Sequence, residues 1–115
     1  MNINPLIEMA FKDFKVDNKT IPITFMRHIG KSDSYLTYYT WQTSPKSFAD
    51  DVPHMETVYT TIDIWSRGNF KKIVEEVKKV MARNGFTWTD NGPEDFDRET
   101  GFYHVPINFY YAESA

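Results

Sequence analysis

Three histidines, a stretch of clustered carboxylates and five glycines are the residues of this sequence that could carry chemistry. His28, His54 and His104 lie far apart along the chain, each in or near a segment that reads as strand or loop. None stands in a metal-ligand spacing such as H-E-x-x-H, so structural or solvated roles fit them better than a metal centre. The stretch DNGPEDFDRE is acidic enough for a calcium loop. Its glycine and acids do not follow D-x-[DN]-x-[DN]-G with a terminal Glu, however, and Pro93 interrupts it, so it reads as a solvated hairpin turn. Asp50, Asp51 and His54 supply acids and a base close together, but no Ser or Cys nucleophile signature accompanies them, and neighbouring side chains in a loop rarely converge. Neither a P-loop nor G-x-G-x-x-G occurs, and Gly68 reads as a turn ahead of a helix. On these grounds no catalytic residue, cofactor or metal is assigned, and the chain is not read as an enzyme.

The composition sets what can hold such residues in place. With 115 residues, 41% hydrophobic and 25% charged, the chain reads as one globular domain spanning residues 1–115. A chain of this length buries about two-thirds of its unfolded surface, so it needs neither disulfide nor metal to fold. The absence of cysteine excludes a disulfide framework and a thiolate metal site, and suits a reducing compartment. The start MNINPLIEMAFKDF lacks a basic region followed by an apolar run, and no stretch reaches about 18 apolar residues, so neither secretion nor membrane insertion is expected. A formal charge of −3 argues against a duplex-binding surface, because phosphate contacts need an excess of Lys and Arg. The aromatic fraction is high at 17%, from nine Phe, seven Tyr and three Trp. The rings crowd into strand-like segments, where they bury area and pair across neighbours. More Tyr than a core needs also points to contact surfaces for a partner.

The elements follow from periodicity. In NPLIEMAFKDF, Asn4 reads as an N-cap and Pro5 as the first helical residue, with Leu6, Met9, Ala10 and Asp13 on one face. KVDNKT reads as a turn-rich link. Residues 21–29 alternate as a strand with Pro22 near its start or edge. Residues 34–43 set Tyr35, Thr37, Tyr39 and Trp41 against Leu36, Tyr38 and Thr40, so both faces carry aromatic bulk. Residues 44–56 hold two prolines and the pair Asp50 and Asp51, a loop long enough to be functional. Residues 57–65 set Val58, Thr60, Ile62 and Ile64 against Tyr59, Thr61, Asp63 and Trp65. From near Asn69, Phe70, Ile73, Val74, Val77, Val80 and Met81 form one helical stripe, and Gly85 stops it. Lys72 with Glu76 and Glu75 with Lys79 are opposite charges four residues apart. A strand at 86–89, an acidic turn at 90–99 and a strand at 102–111 complete an order α-β-β-β-α-β-β. That order predicts an α+β domain, a mostly antiparallel sheet of about five strands with two helices on one face.

The run SFADD, the strand closing on DIWSRGNF, the helix KKIVEEVKKVMARNGF and the strand GFYHVPINFYY together resemble the tail completion or tail terminator proteins of long-tailed phages and prophages of Gram-positive bacteria. The resemblance covers most of the chain in order. It places Asp63, Trp65, Ser66, Gly68, Phe86, Tyr103 and His104 at signature positions of the fold, none of them catalytic. It implies a structural protein that caps the tail tube and joins it to the head. In that role the chain assembles as a ring, of six by analogy with the tube, located in the virion tail and before that in the host cytoplasm. Its partners would be further copies of itself, the tail tube protein and a head completion or connector protein, with no sequence-specific nucleic acid and no membrane. The chain departs from some relatives in ending at AESA, soon after the last strand. The candidate interface residues are Phe48, Asp50, Asp51 and His54 in the long loop and Glu94, Asp95 and Asp97 in the acidic turn. Two other classes fit the same composition. One is an acidic immunity or inhibitor protein using Asp50, Asp51, Asp90, Glu94, Asp95 and Asp97 against a basic target. The other is a small ligand-binding domain or enzyme with a pocket between sheet and helices.

Overall fold

The alternating segments around residues 34–43 and 57–65 become two adjacent strands inside one mixed sheet. In a computed structural model, which describes residues 2–27, 30–42 and 55–114, the order is α1 (Asn4–Ala10), β1 (Lys15–Val16), β2 (Lys19–Thr20), β3 (Ile23–Phe25), β4 (Ser34–Gln42), β5 (Met55–Ser66), α2 (Phe70–Arg83), β6 (Thr87–Asn91), β7 (Asp95–Phe96) and β8 (Tyr103–Ser114). The sheet runs β3-β4-β5-β8-β6, with β7 also paired to β8. Every pair in it is antiparallel except β3 with β4. The α+β fold expected from the sequence is therefore present.

One face of the sheet carries the core. Leu36, Tyr38, Val58, Ile62, Ile64, Val105, Ile107 and Phe109 are buried there under the α2 stripe of Ile73, Val74, Val77, Val80 and Met81. Apolar residues at a helical spacing can turn together toward a sheet, and their burial supplies most of the driving force. Gly85, at φ +86, ends α2, and Phe86 behind it is buried against Tyr111. Beyond the Gln42–Val58 pairing of β4, residues 55–57 pair, among the described residues, with residues 112–114.

Several local expectations are corrected. The first helix faces the core with Ile7, flanked by buried Ile3, Phe11 and Phe14, while Met9 is 77% exposed. Apolar groups at positions 3, 7, 11 and 14 define a better stripe than positions 6, 9, 10 and 13. Asn4 is the first helical residue rather than the cap; its N–H donates to Asn2 Oδ1 at 3.1 Å. KVDNKT is a hairpin rather than a plain link, because Asp17 and Asn18 both take positive φ, at 53° and 64°, as a tight two-residue turn requires. The strand expected at 21–29 shrinks to β3: Pro22 precedes it and Met26, at φ +66, ends it. The acidic stretch 90–99 is not one turn, since β6 reaches Asn91 and β7 covers Asp95 and Phe96. On α2, Lys72 pairs with Asp17 at 2.8 Å and Lys79 with Glu76 at 3.3 Å, in place of the expected pairs four residues apart.

Candidate interaction surface

The face of the sheet turned away from the helices is where the sequence's unused aromatics collect. Strand registry decides this: Tyr35 is opposite Trp65, Trp65 opposite His104, Trp41 opposite Tyr59, and Tyr59 opposite Tyr110. Residues directly opposite on one face touch, so these become two rows of rings. In one, Tyr35 stacks on Trp65 with centroids 5.8 Å apart, Trp65 stacks on His104 at 4.0 Å, and Phe102 meets Tyr35 edge-on. In the other, Tyr39 stacks on Trp41, Trp41 on Tyr59, and Tyr59 leans on Tyr110. Tyr39 and Trp41 are each 43% exposed. Trp65 thus lies on the opposite face from the α2 stripe.

Between the rows the face is polar and connected. His104 Nε2 lies 2.7 Å from Asp63 Oδ1. Trp65 Nε1 donates to Thr37 Oγ1, Thr61 Oγ1 donates to Asn108 Oδ1, and Asn108 Nδ2 donates to Asp90 Oδ1. Burial raises the pKa of Asp63, and the hydrogen bond and charge of His104 oppose that rise. A carboxylate and an imidazole held this way cross-brace β5 and β8. Among the described residues no group of three or more His, Asp or Glu could hold a metal ion, and no helix is long and apolar enough to cross a membrane.

The signature positions have local physical reasons. Asp63, Trp65 and His104 form one contact cluster. Ser66 is buried, shares a 2.8 Å hydrogen bond with Ser34 Oγ and accepts from the Gly68 N–H, fixing the turn from β5 toward α2. Tyr103 sits between Phe70 and Phe96. Gly68 has open space around it and no positive φ, so its backbone does not demand glycine.

Of the candidate interface residues, Phe48, Asp50, Asp51 and His54 lie outside the described residues, as does His28. Glu94, Asp95 and Asp97 are exposed on β7 and its flanks. Asp95 Oδ1 accepts from the Phe96 N–H, and Asp97 Oδ1 from the Glu99 N–H, so this turn is internally braced. The structure does not bring these acids to the His104 cluster as a pocket; Asp95 is only its cross-strand neighbour on β8.

A second feature is absent from the sequence reading. β3 runs parallel to β4, and a cleft of about 670 Å³ opens beside β4. Tyr35, Trp65 and Phe102 line it together with Arg27, Lys31 and Arg67. Arg67 stacks 4.5 Å over Phe102, donates to the Thr100 carbonyl and pairs with Asp33 at 3.3 Å. The three cations stand 40 residues apart at their extremes, so only the topology reveals them as a group. Comparison of the sequence with protein-family models and with curated proteins gives no match.

Proposed function

We propose that this chain is a structural assembly protein of a phage or prophage tail, capping the end of the tail tube as a ring and joining the tail to the head. The observation that carries the reading is the cluster of Asp63, Trp65 and His104, three signature residues of the tail terminator pattern that meet on one face of the sheet. They brace neighbouring strands and leave flat rows of aromatic rings facing outward. Rigid aromatic surface of this kind suits protein contacts, where Tyr and Trp supply area at low entropic cost. Its role in this reading is assembly rather than catalysis. The partners are further copies of the chain, the tail tube protein and a head completion protein. The free protein resides in the host cytoplasm and the assembled one in the virion.

Deletion of the gene in its phage or prophage tests this. Heads and tails should then accumulate unjoined, with tails of irregular length, and intact virions from the deletion strain would overturn the reading. A second reading, an acidic protein that inhibits a basic target, is favoured only by the exposed carboxylates at Glu94, Asp95 and Asp97. It predicts a stoichiometric complex with a cationic enzyme and no effect of the deletion on virions.

A further inference from the structure

The formal charge of residues 94–99 is −3, from Glu94, Asp95, Asp97 and Glu99 against Arg98, as much as the whole chain carries. In their midst Phe96 is 47% exposed. The turn is rigid: besides the braces at Asp95 and Asp97, the Asp97 N–H donates to the Phe102 carbonyl and the Gly101 N–H to the Asp97 carbonyl. It sits on β7, which among the described residues pairs only with β8, at one edge of the sheet. The cleft has the opposite character. Arg27 and Lys31 are exposed and form no ion pair among the described residues, and Arg67 adds a third cation against the single carboxylate of Asp33. Its floor is aromatic. It lies over β4 and β5 and adjoins the turn of its own chain: Phe102, which lines it, accepts from the Asp97 N–H, and Arg67 donates to the Thr100 carbonyl.

We propose that this cleft receives the acidic, Phe96-bearing turn of a second copy of the chain. The charges are complementary, Phe96 meets the rings of Tyr35, Trp65 and Phe102, and the turn is already held by its own hydrogen bonds, so little ordering entropy is lost on that side of the contact. Turn and cleft are distinct surfaces that adjoin on each copy. A contact between them is heterologous, each copy giving its turn to the next, which is the kind that closes rings. The contact is too small to hold a stable dimer alone, and copies gathered on a common surface strengthen it by raising the local concentration. The inference deepens the ring reading and rests on it for the number of copies, not for the contact itself.

The test uses the full-length chain and two variants that keep the fold. Arg27→Gln with Lys31→Gln neutralises the cleft. Glu94→Gln with Asp97→Asn neutralises the turn, the Asn retaining the acceptor for Glu99. Sedimentation equilibrium at low salt should show concentration-dependent self-association of the native chain that weakens as salt is added. Each variant alone should associate at least tenfold more weakly. An equimolar mixture should recover pairs but nothing larger, because only one intact turn and one intact cleft remain to meet. The Trp65 indole N–H resonance should shift with concentration in the native chain and in the mixture. A native chain that stays monomeric at millimolar concentration, or variants that associate as well as the native chain, overturns the proposal. So does an indole shift produced by adenosine monophosphate without self-association, which would make the cleft a small-anion site. If the variants associate normally yet rings form on tail tubes, this contact is wrong and the ring reading stands. If the mixture behaves as expected but tails do not need the protein, the contact stands and the tail reading fails.

Discussion

Tyr38 and Asp63 show how single side chains in this sheet trade burial against polarity. Tyr38 is fully buried, and its hydroxyl meets no hydrogen-bond partner at bonding geometry among the described residues. Burial first, and then the nearby Glu8 carboxylate, push its pKa up to about 12. An orphaned buried hydroxyl costs about 1 to 3 kcal/mol, so Tyr38→Phe should leave stability unchanged or raise it by about 1 kcal/mol. A raised folded pKa means stability that is present below the unfolded value of 10.0 and lost as pH rises through about 12. Thermal melts of Tyr38→Phe should therefore show the variant gaining on the native protein at alkaline pH. A lower melting temperature at neutral pH would instead show the hydroxyl donating to Glu8. Asp63 follows the same sign. Its folded pKa is raised from 3.8, by burial above all, so its favourable contribution exists below that unfolded value and is lost as pH rises through the folded one. Asp63→Asn keeps an acceptor for His104 and removes the buried charge. Its melting temperature relative to the native protein should improve steadily between pH 3 and pH 7 in a buffer series, on the scale of ordinary carboxylate titration. A relative decline over that range would show that the ion pair with His104 outweighs burial.

At the scale of elements, what was legible in the sequence was periodicity, and what was not was pairing. The α2 stripe and the two-faced alternation of β4 and β5 could be read directly, because a helix or a strand exposes its period in residue types. The face of α1 was misread because its true stripe begins at Ile3, ahead of the helix, and includes Phe11 and Phe14 beyond it. The parallel pairing of β3 with β4 has no local signal, and with it the cleft and the grouping of Arg27, Lys31 and Arg67 were invisible. Trp65 could be placed on a face with Asp63 and Tyr59 but not on the right side of the sheet, since both faces of β5 carry large residues. The acidic turn was visible from composition, whereas its division into β6 and β7 depends on the break in pairing with β8 between Asn91–Ile107 and Asp95–His104. Gly92 lies between those two strands, where a Cβ would come within 2.5 Å of Pro106 Cγ. The proline ring cannot swing aside, so Gly92→Ala should cost about 1 to 3 kcal/mol by overpacking. The loss should be local: amide exchange should quicken in β6 and β7 while β4 and β5 stay protected. Uniform protection, or an unchanged melting temperature, would show that β6 can shift away from β8 without penalty.

For the whole molecule, the helices pack on one face of the sheet, aromatic rings line the other among the described residues, and the acidic turn and the cationic cleft adjoin through Arg67 and Phe102. In the proposed joint each copy offers both halves. The central claim is that copies close into a ring on the end of a tail tube. Purified chain mixed with purified tail tubes and viewed by electron microscopy tests it most directly. The account predicts a ring at one tip of each tube, six-fold in projection, formed from a protein that is largely monomeric in dilute solution. Tubes whose tips stay bare at saturating protein, or decoration spread along the tube wall, would contradict it.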